Sequence, residues 1–214
     1  LFALAAAAAL AAGCDGNGLV LGDDAGCVAA AHPGSAFVET PADLEALRGF
    51  GGVEGDLYLG CAACTAEQLA AGLECLARVH GDLYVQELGA DALSFFALAR
   101  VEGDLSVADN DALESLAAPD PAEVGGYLYL LDNALVASVD LAALAAVGGD
   151  VNARGNGSWP CCDACALLSG LEGHEGAAAV SGCHADECWV DEALACPEPD
   201  TDSSAPARAP GGRR

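Results

Sequence analysis

At 214 residues the chain suits one domain with appendages and a sizeable core, and a formal net charge of −26 disfavours nucleic acid and anionic lipid as partners. It contains no Lys, Met or Ile, which excludes chemistry that needs a lysine amine as Schiff base or general base. From Pro197 on, three acids face three arginines, so 30 acids and four arginines belong to the rest of the chain.

The first stretch, Leu1 to Ala12, is an apolar run ending at Gly13-Cys14. It is too short to cross a bilayer as a helix and reads as the apolar part of a secretory signal, residues 1–13. No initiator Met and no basic stretch precede it, so the sequence is expected to begin inside that signal. Leu10-Ala11-Ala12-Gly13-Cys14 resembles a bacterial lipobox, with Ala11 where Leu is usual, and this implies lipidation at Cys14. The Ala- and Gly-rich composition fits a GC-rich bacterial genome. Residues 14–34 read as an acidic, Gly-rich tether that carries Cys27.

Ser35-Ala36-Phe37-Val38-Glu39 reads as a first strand. Thr40 follows as an N-cap with Pro41 at the first helical position, and Leu44 and Leu47 would face the core. Thr65-Ala66-Glu67-Gln68 is a capping box that opens a second helix through Leu69, Leu73 and Leu76. The first coils are therefore expected to carry helices opposite the strands, and the later ones tighter turns.

Between Val53 and Asn156 one phrase returns five times: Val53-Glu54-Gly55-Asp56-Leu57, Val79-His80-Gly81-Asp82-Leu83, Val101-Glu102-Gly103-Asp104-Leu105, Val124-Gly125-Gly126-Tyr127-Leu128 and Val147-Gly148-Gly149-Asp150-Val151. Its glycines are 26, 22, 23 and 23 residues apart, a period that marks stacked coils. After each glycine, apolar residues alternate with others (Leu57 and Leu59, Leu83 and Val85, Leu105 and Val107), which means a short strand with one buried face. Asn110, Asn133 and Asn156 recur 23 apart, suited to satisfying backbone groups in buried turns. Ala62 and Leu88 hold the matching places earlier, so this ladder covers only the later coils.

The phrase, followed in its third copy by Asp109-Asn110-Asp111-Ala112-Leu113, resembles the receptor L-domain, a relative of leucine-rich repeats. The likeness runs from about Phe37 to Cys188. It implies an α/β solenoid: a right-handed, leucine-rich-repeat-like stack of short parallel strands over residues 35–196, with disulfide-stapled caps. In animal receptors such domains contribute ligand-binding surfaces. The block around Trp159-Pro160-Cys161-Cys162 resembles the C-terminal cap of that family, with a closing helix through Leu167, Leu168 and Leu171 and a last strand near Ala178–Cys183. Residues 197–214 read as a disordered tail.

Eleven cysteines become ten if Cys14 is lipidated. Cys27, Cys61, Cys64 and Cys75 form one group, and Cys161, Cys162, Cys165, Cys183, Cys188 and Cys196 another. Behind a secretion signal, two such groups are expected to be oxidised within each cap, with connectivity open. The rival is zinc at Cys61-x-x-Cys64 or Cys162-x-x-Cys165 beside His184.

No nucleophile elbow, Walker loop, HExxH motif or glycosidase-like pair can be placed, and His32, His80, His174 and His184 are scattered. The expected class is a non-enzymatic, exported recognition or scaffold protein of the bacterial envelope, anchored by lipid and without a cofactor. A purely structural lipoprotein and a metal-binding protein are the alternatives. Its candidate ligand face lies where outward strand residues stack in columns: Asp56, Asp82, Asp104, Tyr127 and Asp150 in one, Tyr58, Tyr84, Ser106, Tyr129 and Asn152 in the next. Stacked aspartates would repel and favour a cation or basic ligand, while the phenol rings offer area to a glycan or peptide. In the opposite reading, each Asp simply bonds to turn amides.

Overall fold

A computed structural model describes residues 26–118, 123–141, 143–171, 173, 174 and 176–184. The expected signal with Cys14, most of the tether, Cys188, Cys196 and the tail lie outside these residues. Among the described residues every strand pair is parallel, and the strands form three sheets.

The first sheet holds, in order, β1 (Val28–His32), β3 (Phe50–Val53), β5 (Arg78–Val79), β8 (Arg100–Val101), β11 (Glu123–Val124), β14 (Ala146–Val147) and β16 (Gly173–His174). The second holds β2 (Ala36–Val38), β4 (Leu57–Leu59), β6 (Leu83–Gln86), β9 (Leu105–Ala108), β12 (Leu128–Leu131), β15 (Val151–Arg154) and β17 (Ala178–Ser181). On the third side stand α1 (Pro41–Leu47) and α2 (Ala66–Leu73), then the small sheet of β7 (Ala92–Ser94), β10 (Ser115–Ala117) and β13 (Ser138–Asp140). The helix α3 (Cys161–Gly170) follows near β13, across a cleft lined by both. Each coil thus visits three sides in turn and pairs with its neighbours along the axis.

The alternation expected after each glycine is present. Leu57 and Leu59, Leu83 and Val85, Leu105 and Val107, Leu128 and Leu130, Val151 and Ala153 are all buried. Val53, Val79, Val101, Val124 and Val147 form a buried column in the first sheet, and Leu93 and Leu116 do so in the third. These columns meet in one apolar core that runs the length of the stack. Both predicted helix starts are capping boxes. Thr40 accepts from the Asp43 amide and Thr65 from the Gln68 amide, and each partner side chain reaches back to the cap.

Three expectations need correction. In the middle coils the third side is not a set of tight turns but the strands β7, β10 and β13, each of which turns one apolar residue (Leu93, Leu116, Val139) inward and so shows no alternation in the sequence. The helix α2 ends at Leu73, before Leu76, where the bridge Cys27–Cys75 pins the chain. The solenoid begins in what reads as tether, because β1 pairs with β3. The last strand expected near Ala178–Cys183 is β17, which with β16 adds one more coil after α3.

The repeated glycines lie where coils touch. The amide of Gly103 donates to the Gly81 carbonyl at 3.0 Å, and that of Gly81 to Gly55 at 3.0 Å. A Cβ on Gly103 would collide with the Asp82 carboxylate and stand 2.9 Å from the Gly81 backbone. No larger residue fits there.

Asn110, Asn133 and Asn156 are fully buried and form the ladder that their spacing predicts. The Oδ1 of Asn133 accepts from the Asn110 amide at 3.2 Å, and that of Asn156 from the Asn133 amide at 3.2 Å. Their Nδ2 groups donate to carbonyls of the preceding coil: Val85, Val107 and Leu130. Just before each Asn, the left-handed turn residue is Asp109, Asp132 or Gly155.

Candidate ligand face on the second sheet

The outer face of the second sheet carries the residues singled out from the sequence, and the register places them in the expected columns. Phe37 pairs with Tyr58, Tyr58 with Tyr84, Tyr84 with Ser106, Ser106 with Tyr129, and Tyr129 with Asn152. Phe37 at the head of the column is absent from the sequence-based face. Its signal is legible in hindsight: Gly34-Ser35-Ala36-Phe37-Val38 copies Gly55-Asp56-Leu57-Tyr58-Leu59 with Ser for Asp. The Ser35 hydroxyl accepts from the Asp56 amide at 3.0 Å, as the aspartates do in later coils.

The aspartate column serves the turns. Asp56 Oδ1 accepts from the Asp82 amide at 2.9 Å, Asp82 from Asp104 at 2.8 Å, Asp104 from Tyr127 at 2.7 Å, and Asp150 from Ala177 at 2.8 Å. Each carboxylate thus faces a backbone dipole of the next coil, which offsets the repulsion expected between stacked charges. For Asp56, Asp82, Asp104 and Asp150 alike, one oxygen belongs to the fold.

The rings stack. Phe37 and Tyr58 lie 4.7 Å apart with parallel planes, and Tyr58 and Tyr84 lie 5.0 Å apart at 16°. These separations match the strand spacing of ~4.8 Å, so the column stands as a pile of plates along the axis. Phe37 is 60% exposed, the most open large apolar side chain on this face. Further along, Tyr127 and Tyr129 stack at 5.6 Å and 18°. The four tyrosines therefore form two groups, separated by Ser106.

Tyr84 donates its hydroxyl to Asp82 Oδ2 at 2.8 Å. That bond, then burial, then the negative charges nearby push the phenol up to about 12. Burial and the carboxylates of Asp104 and Asp150 also raise Tyr129. A phenol whose folded value exceeds its unfolded one (~10) stabilises the fold below that unfolded value. The contribution is lost as pH rises from there through about 12. Ultraviolet titration should find Tyr84 ionising well after an ordinary phenol. Asp82→Asn keeps an amide acceptor but removes the charge, and should return the Tyr84 midpoint toward the ordinary value; an unmoved midpoint would exclude Asp82 as the cause.

The other charged cluster lies on the first sheet. Glu102 Oε1 stands 3.9 Å from Arg78, 4.0 Å from Arg100 and 3.3 Å from Nδ1 of the partly exposed His80, while Arg100 also pairs with Glu123. These residues neutralise one another. Two shallow clefts of about 370 and 350 Å³ flank α3 and β1. The first is lined mainly by apolar side chains with Asp140 and Asp163, the second by small residues with Arg78 and His80.

The cysteines segregate. Cys27 bonds to Cys75, Cys61 to Cys64 and Cys161 to Cys183, and Cys162 and Cys165 are also disulfide-bonded. All four cysteines of the N-terminal group pair among themselves, so none joins the C-terminal group. Neither Cys61-x-x-Cys64 nor Cys162-x-x-Cys165 has thiols left for zinc. Among the described residues no three His, Cys, Asp or Glu side chains are placed to hold a metal ion. The bridges place the folded domain in an oxidising, extracellular-type compartment, and no helix among the described residues is long and apolar enough to cross a membrane. The chain matches no protein-family model, no curated protein and no solved structure.

Proposed function

We propose that this chain is a non-enzymatic recognition protein of the bacterial cell envelope, exported and lipid-anchored at Cys14. On this reading the solenoid is right-handed and related to the receptor L-domain and leucine-rich repeats, and the second sheet presents the ligand face. The observation that carries the reading is the pile of exposed Phe37 and Tyr58 on half-buried Tyr84, with exposed Tyr127 and half-buried Tyr129 beyond it. Rings held rigid by strand pairing offer contact area to a glycan or peptide at little entropic cost. A purely structural envelope protein is the second reading. It is favoured by the aspartate column, in which each carboxylate serves a turn.

The test is a glycan and peptide array probed with the disulfide-bonded domain. Joint replacement of Tyr58, Tyr84 and Tyr129 by Ser should leave the circular dichroism spectrum unchanged and abolish the binding found. Binding that survives the triple replacement would rule out this face. Mass spectrometry of the exported chain tests the anchor, which fails if Cys14 carries no acyl group.

A further inference from the structure

The aromatic column has one missing rung. Tyr84 and Tyr129 both pair with Ser106, one on each side, so two strand spacings separate the strands that bear the rings. At ~4.8 Å per spacing the walls stand roughly 9.6 Å apart, and a group centred between them lies about 4.8 Å from each. Tyr127 does not fill the space. It leans over the following coil, where a Cβ on Gly149 would fall 2.6 Å from its ring.

At the same place one oxygen of a partly exposed carboxylate has no protein donor among the described residues. In the preceding coil Asp82 uses both oxygens, one for the Asp104 amide and the other for the Tyr84 hydroxyl two residues on. Asp104 uses Oδ1 for the Tyr127 amide, but two residues on stands Ser106, too short to act as Tyr84 does. Among the described residues nothing donates to the second oxygen of Asp104. The gap therefore lacks a flat group and a donor at its edge, and it lies in a negative field from Asp82, Asp104 and Asp150.

The geometry points to a guanidinium site in this gap: an arginine side chain of a peptide ligand enters over Ser106, between Tyr84 and Tyr129, and donates to Asp104. A cation at that place is within the ~6 Å of both ring centroids that cation–π attraction requires. Guanidinium is planar like the absent ring, keeps its charge at every working pH, and carries its donors in the ring plane, at the level of the carboxylate. A neutral sugar would fill the volume without answering the charge. This assignment rests on the second sheet being a recognition face, and it names the chemistry recognised there.

Two peptides and two variants test it. Acetyl-Gly-Arg-Gly-amide, titrated into the disulfide-bonded protein, should shift the ring resonances of Tyr84 and Tyr129 together and saturate them. The citrulline counterpart, equally flat but uncharged, should bind about tenfold more weakly or worse, as loss of a charged contact demands. Ser106→Tyr supplies the missing rung and its hydroxyl. It should weaken arginine binding by the same factor or more while the thermal midpoint holds or rises. Asp104→Asn keeps the oxygen that accepts the Tyr127 amide, and should weaken the arginine peptide without unfolding the protein. Equal affinity for arginine and citrulline, or undiminished binding by Ser106→Tyr, overturns the site. If an array ligand is lost on replacing Tyr58, Tyr84 and Tyr129 but retained by Ser106→Tyr, the face stands and the guanidinium site falls. If neither peptide nor array yields binding, both fall.

Discussion

Replacing Asn133 by Ala should lower the unfolding free energy by about 3–5 kcal/mol, a large share of a typical domain's margin. Asn133 is 2% exposed and sits in the middle of the ladder. Its Oδ1 accepts from the backbone amide of Asn110 at 3.2 Å and from Asn110 Nδ2 at 2.9 Å. Its Nδ2 donates to the Val107 carbonyl at 2.9 Å and to Asn156 Oδ1 at 3.2 Å. Alanine removes all four bonds. It leaves the Asn110 amide and the Val107 carbonyl buried without these partners, at roughly 1–3 kcal/mol each, and opens a small void besides. In a stack where each coil touches only its neighbours, the loss also weakens the coupling between the two halves. Urea unfolding should show a lower midpoint, with a broadened transition if the halves uncouple. A loss under about 1 kcal/mol would mean that the sheets alone hold these coils.

Removing the Cys27–Cys75 bridge should cost more than removing Cys161–Cys183 or Cys61–Cys64. Its cysteines are 48 residues apart, against 22 for Cys161–Cys183 and 3 for Cys61–Cys64. Loop-closure entropy then ranks the three at about 4, 3 and 2 kcal/mol. The first bridge has a local task as well, since it ties the chain just before β1 to the turn after α2. Among the described strands β3 is the one that pairs with the edge strand β1. The double replacement Cys27→Ala with Cys75→Ala should lower the thermal midpoint most, and should speed hydrogen exchange in β1 before any other strand. Equal losses for Cys27–Cys75 and Cys61–Cys64 would refute this ranking.

Sequence alone determined whatever repeats at one position in every coil. The Gly-Asp-Leu phrase fixes the register of the second sheet, because a shift by one residue would turn Leu83 and Val85 out and Tyr84 in. The asparagine ladder and both capping boxes were legible for the same reason, since each is a local or periodic pattern with one physical use. Tertiary structure alone decided the rest. The strands β7, β10 and β13 each turn a single apolar residue inward, so they carry no alternation to read. The terminal coils are degenerate copies: Ser35 replaces Asp, and Ala177 follows Gly176 where Asp is usual. Disulfide partners depend on which coils come near one another, and the spacing of cysteines along the chain leaves that open. The columns of the candidate face could be written down from the period, but not the engagement of each aspartate with the next coil's amide. Nor could the gap at Ser106: one small residue in a row of rings becomes a space only when strands ~4.8 Å apart set its walls.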